Sequence, residues 1–242
     1  MPGPVNRKPP TDVYGLGRRL AALLWPPRCL LCGEWGRGGR DLCRDCDAAL
    51  PWNRNACLRC ALPLPAPAPA CGGCLRRPPP LVETHAALVY AFPVDRLLPR
   101  LKFHADLACG RLLSQLMIEA FAALPRPGAL VPLPLHRARL RSRGYDQALE
   151  LARPLARAFA LPLLDGALIR RRGTPPQSRL DAAARRRNLR NAFAVAPGVV
   201  LPPHVAVIDD VVTTGATLHA AAQALRRAGA QRVDAWVCAR TP

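Results

Sequence analysis

Four C-x-x-C pairs, Cys29/Cys32, Cys43/Cys46, Cys57/Cys60 and Cys71/Cys74, recur every 14 residues, with ten residues between successive pairs. One C-x-x-C knuckle holds two sulfurs along an edge of a tetrahedron, and a second knuckle supplies the opposite edge, as in a structural zinc ribbon. Eight thiolates therefore make two closed four-sulfur sites that leave no open position for catalysis. A disulfide framework would call for an export signal. The apolar run Leu20-Ala21-Ala22-Leu23-Leu24-Trp25 is too short for one and reads as a short amphipathic helix. A thioredoxin-type redox pair would be single and placed at a helix start. Sequence order favours Cys29, Cys32, Cys43 and Cys46 for one zinc and Cys57, Cys60, Cys71 and Cys74 for the other, with interleaved pairing left open. Cys109 and Cys238 stand alone in apolar segments and are expected to be buried as small hydrophobes.

So few apolar residues accompany the knuckles that zinc should be required for this module to fold. A proline-rich stretch lies within the second ribbon over 62–69, and Arg77-Pro78-Pro79-Pro80 follows the last cysteine. The expected organisation is a double zinc ribbon over 25–77 and a second domain over 81–242. In that second part, strand patterns at 86–92, 130–134, near 163–169, 205–208 and 233–239 alternate with helical spacing at 95–104, 106–123, 146–160 and 214–228. Alternation of this kind predicts an α/β domain with a parallel sheet flanked by helices, and such sheets bind ligands at the carboxyl ends of their strands. No apolar run approaches the ~20 residues of a membrane-spanning helix. A soluble, cytoplasmic protein is expected.

Charge sharpens the search for a ligand. The chain carries 35 basic and 16 acidic side chains, a formal +19, and two four-thiolate zinc sites would lower this to about +15. All the basic residues except Lys8 and Lys102 are arginines, part of an Arg-, Ala- and Pro-rich background. Even so, the excess is uneven: residues 1–80 carry +7, 81–125 balance, 126–190 carry +11 and 191–242 carry +1. A basic block of this kind suits a polyanion, either nucleic acid or a phosphorylated small molecule.

The strongest chemical motif follows the strand at 205–208: Asp209-Asp210-Val211-Val212-Thr213-Thr214-Gly215-Ala216-Thr217, then a helix. Adjacent carboxylates after a buried strand suit ribose hydroxyls or a hydrated metal. The Thr-rich turn offers hydroxyls and backbone N–H groups at a helix N-terminus, a site for a phosphate monoester. Glycine at 215 allows close backbone approach. An ordinary N-capped turn would account for the threonines but not for the paired aspartates. The segment resembles the PRPP-binding motif of type I phosphoribosyltransferases. That resemblance implies that Asp209 and Asp210 hold the ribose and that Thr213, Thr214, Gly215, Ala216 and Thr217 hold the 5-phosphate.

Further segments resemble the ComF/GntX family, which is amidophosphoribosyltransferase-like. They are Leu101-Lys102-Phe103; Val131-Pro132-Leu133-Pro134 with Arg143-Gly144-Tyr145-Asp146-Gln147; and Thr174-Pro175-Pro176-Gln177 with Leu180, Arg185, Asn188 and Phe193. Tyr145 and Asp146 stand where Phe and Asn are usual. The resemblance implies a type I phosphoribosyltransferase fold behind an N-terminal double zinc ribbon. It also implies a pyrophosphate-side loop over 131–147, a loop over the site at 170–193, and Mg²⁺ bound with PRPP. Lys102 and Arg143, with Arg179 and Arg187 next, would stabilise the leaving pyrophosphate, although any one arginine here could equally be a solvated surface residue. Gln147 and Asn188 read as well as helix and loop caps.

Two functions are then expected. One is a PRPP-binding protein of DNA uptake (competence) or DNA utilisation, with single-stranded DNA and DNA-processing proteins as partners. The other is an active phosphoribosyltransferase, a pentosyl-transferring enzyme of nucleotide metabolism, whose acceptor the sequence does not name. With 5% aromatic residues the chain has few stacking platforms for single strands, though Trp35 and Trp52 lie in the ribbon module.

Overall fold

The computed structural model describes residues 27–170 and 192–242. The chain divides into two compact units, Met1–Ala48 and Ala49–Pro242. The first tetrad belongs to one unit and the second tetrad to the unit that carries the sheet.

In the first unit, helix α1 (Arg44–Ala48) begins within the second knuckle and carries Cys46. The described side chains buried here are Cys29, Leu42 and Cys43. Arg28 lays its guanidinium over the Trp35 ring at 3.7 Å, a cation–π contact at the surface.

The second unit opens with the second pair of knuckles and helix α2 (Gly72–Arg76). The order continues β1 (Thr84–Val89), α3 (Val94–Phe103), α4 (Leu107–Ala120), β2 (Ala129–Pro132), α5 (Arg137–Arg143), α6 (Gln147–Ala158), β3 (Leu168–Arg170), β4 (Phe193–Val195), β5 (His204–Val212), α7 (Ala216–Arg227) and β6 (Arg232–Arg240). Strands β1, β6, β5 and β2 form one parallel sheet in that order, and β3 pairs antiparallel with β4. The expected α/β domain with a parallel sheet is therefore present.

Alternation along β6 explains how both faces of the sheet are covered. Val233, Ala235 and Val237 join a cluster with Leu218 and Leu225 of α7. Trp236 packs from the sheet against Phe121 and Phe159 at the ends of α4 and α6, with ring centroids 5.3 and 5.8 Å away. Because both faces are buried, the central strands read as continuous apolar runs. Cys109 and Cys238 are fully buried, as expected of small hydrophobes. Open sheet edges would invite pairing with another chain. Here the segment 51–53 lies along β1, with Asn53 N donating to Ala87 O and Val89 N to Pro51 O. Leu130 N and Leu164 N tie residues 162–164 to β2 in the same way. Trp52 is thus part of an edge cover, bridged to Leu88. No helix among the described residues is long and apolar enough to cross a membrane.

One difference from the sequence reading matters for function. The strand expected at 205–208 runs from His204 to Val212, because β6 keeps pairing with it as far as Val212 opposite Arg240. Asp209 and Asp210 are consequently carried on a rigid central strand and not in the turn that follows.

Candidate functional site

The sulfurs group in sequence order, Cys29, Cys32, Cys43 and Cys46 in one tetrad and Cys57, Cys60, Cys71 and Cys74 in the other, and within each tetrad they lie within 4.8 Å of one another. Zn–S bonds of ~2.3 Å imply tetrahedral S···S edges of about 3.8 Å. The Cys32–Cys43, Cys32–Cys46 and Cys60–Cys71 separations are 3.5, 3.7 and 3.8 Å. Burial raises the Cys29 thiol, but backbone N–H groups of Cys32, Cys43 and Leu31 outweigh it and bring the pKa to about 6. Cys71 falls to about 7 in the same way, burial being opposed chiefly by the backbone of Cys74. Cys46 and Cys74 are pushed the other way, chiefly by burial. Each tetrad thus combines a ready thiolate with thiols that a metal would have to deprotonate, and its sulfur spacing fits a zinc ion.

At the carboxyl ends of β2 and β5 lies a cavity of about 310 Å³, with Lys102, Arg139, Arg143 and Arg170 set against Asp146, Asp209 and Asp210. Lys102, in the last turn of α3, pairs with Asp210 at 3.0 Å. Asp209 accepts a hydrogen bond from the Asp210 backbone N–H at 2.8 Å. Burial, and next the charge of Asp210, push the Asp209 carboxyl well above the ordinary carboxylate range. Arg143 stands 5.1 Å over the ring of the exposed Phe103. Burial, and the like charge of Arg139, lower Arg170. A smaller recess of about 60 Å³ is formed by the 213–217 turn and shares Asp209 and Thr217 with the main cavity.

Gly215 shapes that turn. Its φ of +74° lies in the left-handed region, and a Cβ there would sit 3.0 Å from His219 Nε2. The backbone cost for an L-residue is ~1–2 kcal/mol. Gly215→Ala is therefore expected to destabilise the fold by about that amount in denaturant unfolding; unchanged stability would show that the turn relaxes freely.

Of the four basic residues assigned to the pyrophosphate side, Lys102 and Arg143 line the same cavity as the two aspartates, with Lys102 paired to Asp210, while Arg179 and Arg187 lie outside the described residues. Asp146 caps α6: Oδ1 accepts from Ala148 N and Leu149 N, and Oδ2 accepts from Leu135 N. Both its oxygens are in use, and an amide nitrogen in place of Oδ2 could not accept from Leu135 N. Gln147, 1% exposed, is not a cap. It lines the cavity, and its Nε2 makes no hydrogen bond of ordinary geometry. Arg139 and Arg170 went unnoticed in the sequence because nothing separates them from the surrounding arginines. Their position beside β2 and β5 is a product of the fold.

Comparison with known proteins matches residues 20–75 to a family model described as Double zinc ribbon domain. Residues 146–242 match a Phosphoribosyl transferase domain. The chain is 34% identical over 228 residues to the DNA utilization protein YhgH of Escherichia coli strain K12, covering 89% of this chain and 98% of that one. With the Salmonella typhi protein of the same name it shares 36% over 231 residues, with the same coverage. The chain belongs to the ComF/GntX family. Similarity also extends to Competence protein F of Haemophilus influenzae, at 33% over 222 residues, covering 88% of this chain and 96% of the relative. The phosphoribosyltransferase match takes in α6, β5, α7 and β6, the elements that carry Gln147, the paired aspartates and the Thr-rich turn.

Proposed function

We propose that the cavity binds Mg·PRPP and that the protein uses this site in DNA uptake or DNA utilisation. The observation that carries the reading is the division of charge around joined spaces. The 213–217 recess suits a 5-phosphate, Asp209 shared by both spaces and Asp210 in the main cavity suit the ribose diol, and Lys102, Arg139, Arg143 and Arg170 in that cavity suit a pyrophosphate. Mg²⁺ carried with PRPP would neutralise part of the pyrophosphate charge. The biological setting follows from the relatives, whose names refer to DNA utilization and competence.

The same arrangement favours a second reading, phosphoribosyl transfer. Guanidinium and ammonium groups on the pyrophosphate side would stabilise negative charge as that group leaves, while the fixed aspartates orient the ribose. Nothing in the cavity names the acceptor.

Calorimetric titration with Mg·PRPP tests the binding reading, and absence of saturable heat would reject it. Pyrophosphate release with a panel of bases, amines and single-stranded DNA then separates the two readings. Release with one acceptor establishes an enzyme, whereas binding without turnover favours the DNA-handling role. Contacts to DNA phosphates would weaken steeply with salt. A ligand that needs Asp209 as the carboxylate must displace its proton, because Asp209 holds a proton to higher pH than an ordinary aspartate. Affinity is therefore expected to fall as pH drops, starting from a pH well above the range in which ordinary carboxylates take up a proton. Titrations in two buffers of different ionisation enthalpy should register proton release, and identical heats would show that Asp209 is already ionised.

A further inference from the structure

We propose that the second cysteine tetrad and the 213–217 turn are coupled through Arg240, a positioning residue, so that zinc in that tetrad and the phosphate end of the ligand strengthen each other's binding. The inference rests on the reading of the turn as the phosphate subsite.

The coupling starts in the first knuckle of the second tetrad. Three successive carbonyls within Cys57–Cys60 are taken by the sheet: Leu58 O accepts from Thr84 N at 2.8 Å, Arg59 O from Thr84 Oγ1 at 3.0 Å, and Cys60 O from Arg240 Nε at 3.1 Å. Arg240 ends β6, and the same guanidinium donates through Nη1 to Val212 O at 3.4 Å. The next residue, Thr241, donates to that carbonyl from its backbone N at 3.1 Å and from its hydroxyl at 3.4 Å. One side chain therefore joins the carbonyl of a zinc ligand to the last carbonyl of β5.

That carbonyl has a direct bearing on the turn. The peptide unit is planar and trans, so orienting the Val212 C=O orients the N–H of Thr213, the first donor of the proposed phosphate subsite, to the opposite side. Between the knuckle and residues 213–215 lies a cavity of about 570 Å³, bordered by Cys60, Cys71 and Cys74 on one side and by Thr213, Thr214 and Gly215 on the other. Arg240 spans this space as a strut where the two walls do not pack. Zinc gathers the four thiolates and holds Cys60 O in place for Nε. Without zinc, the guanidinium loses its hold on Cys60 O but keeps Val212 O together with Thr241 O and Oγ1. Val212 O is then less constrained from the knuckle side, while Thr241 N and Oγ1 still donate to it. Linkage makes the effect reciprocal, because a ligand that holds the turn also holds the knuckle.

The test uses the full chain loaded with zinc and compares wild type with Arg240→Met, which keeps the unbranched stem but has no donors. Metal content is checked first, Mg·PRPP affinity is measured by calorimetry, and zinc release to a chromogenic chelator is followed with and without Mg·PRPP. In wild type, Mg·PRPP is expected to slow release of one zinc and not of the other. R240M should keep both zinc ions, bind Mg·PRPP about tenfold more weakly and lose that protection. Affinity within about twofold of wild type, with protection intact, overturns the proposal. Wild type that fails to bind Mg·PRPP at all overturns the phosphate-site reading instead, and the coupling with it. Should R240M fold poorly, Arg240→Lys keeps the charge but can reach only one carbonyl; it should show an intermediate loss, and unchanged affinity there is equally decisive against the strut.

Discussion

Replacing Asp209 and Asp210 together by asparagine is expected to weaken Mg·PRPP binding by on the order of 10²–10⁴-fold, as two charge-assisted hydrogen bonds of ~1.5–3 kcal/mol each are lost. The fold should tolerate the change. Asp209 is held above the ordinary carboxylate range by burial and by Asp210, so its ionised form is costly where it stands and an amide relieves that cost. Asp210 pairs with Lys102 at 3.0 Å, with about a quarter of the lysine side chain exposed, which lets the ammonium find water when its partner is neutral. Little change in thermal unfolding together with a collapse of affinity is therefore the expected pattern, and calorimetry with a denaturation curve checks both. Affinity unaltered in the double variant would remove the ribose assignment altogether.

Stripping zinc under reducing conditions is expected to unfold residues 27–48 and to leave the parallel sheet standing. The buried side chains described in that unit are two cysteine ligands and Leu42. Fully burying a leucine contributes ~1.5–3 kcal/mol, whereas ordering each residue costs about 1–2 kcal/mol of backbone entropy, so one leucine offsets only a residue or two. A structural zinc site supplies ~10–16 kcal/mol at neutral pH and is the natural source of the difference. The second tetrad has additional support, since the carbonyls of Leu58, Arg59 and Cys60 are bonded to β1 and β6. Zinc loss there should loosen the knuckles without releasing the strands. Amide hydrogen exchange on zinc-free protein, its metal content verified by mass, should show protection lost first in 27–48. Retained protection in that segment would mean the first tetrad is not a folding metal site.

Much of this was legible in the chain. The 14-residue recurrence of C-x-x-C pairs announced two four-sulfur sites, since few other uses of cysteine demand such spacing. Val205-Ala206-Val207-Ile208 announced a buried central strand, and the Asp-Asp and Thr-Thr-Gly segments after it marked the strand end and turn that line the cavity and its neighbouring recess. Other features were not legible, for reasons that are physical. Whether β5 ended before or after the aspartates depended on whether β6 continued to pair beside it, a contact between residues far apart in sequence. Arg139 and Arg170 could not be told from a dozen similar arginines, because proximity to a cavity is not written in residue type. Gln147 read equally well as a cap until Asp146 took that role through Oδ1, which accepts from Ala148 N and Leu149 N. Trp52 read as a stacking platform and proved to belong to the cover of a sheet edge.

By itself the sequence determined which chemical groups are present and how they are spaced locally: thiolates at tetrahedral spacing, carboxylates and hydroxyls on one strand-turn-helix unit, and an excess of guanidinium groups between residues 126 and 190. Local spacing suffices there because a knuckle or a turn is closed by residues only a few positions apart. Only the tertiary structure decided which of the basic groups face the aspartates, and that the second tetrad shares a unit with the sheet while the first does not. It also decided that Arg240, 180 positions from Cys60, bonds its carbonyl. Those relations depend on parallel strand order and on the packing of helices against both faces of a sheet, which long-range burial selects and no short stretch of residues encodes.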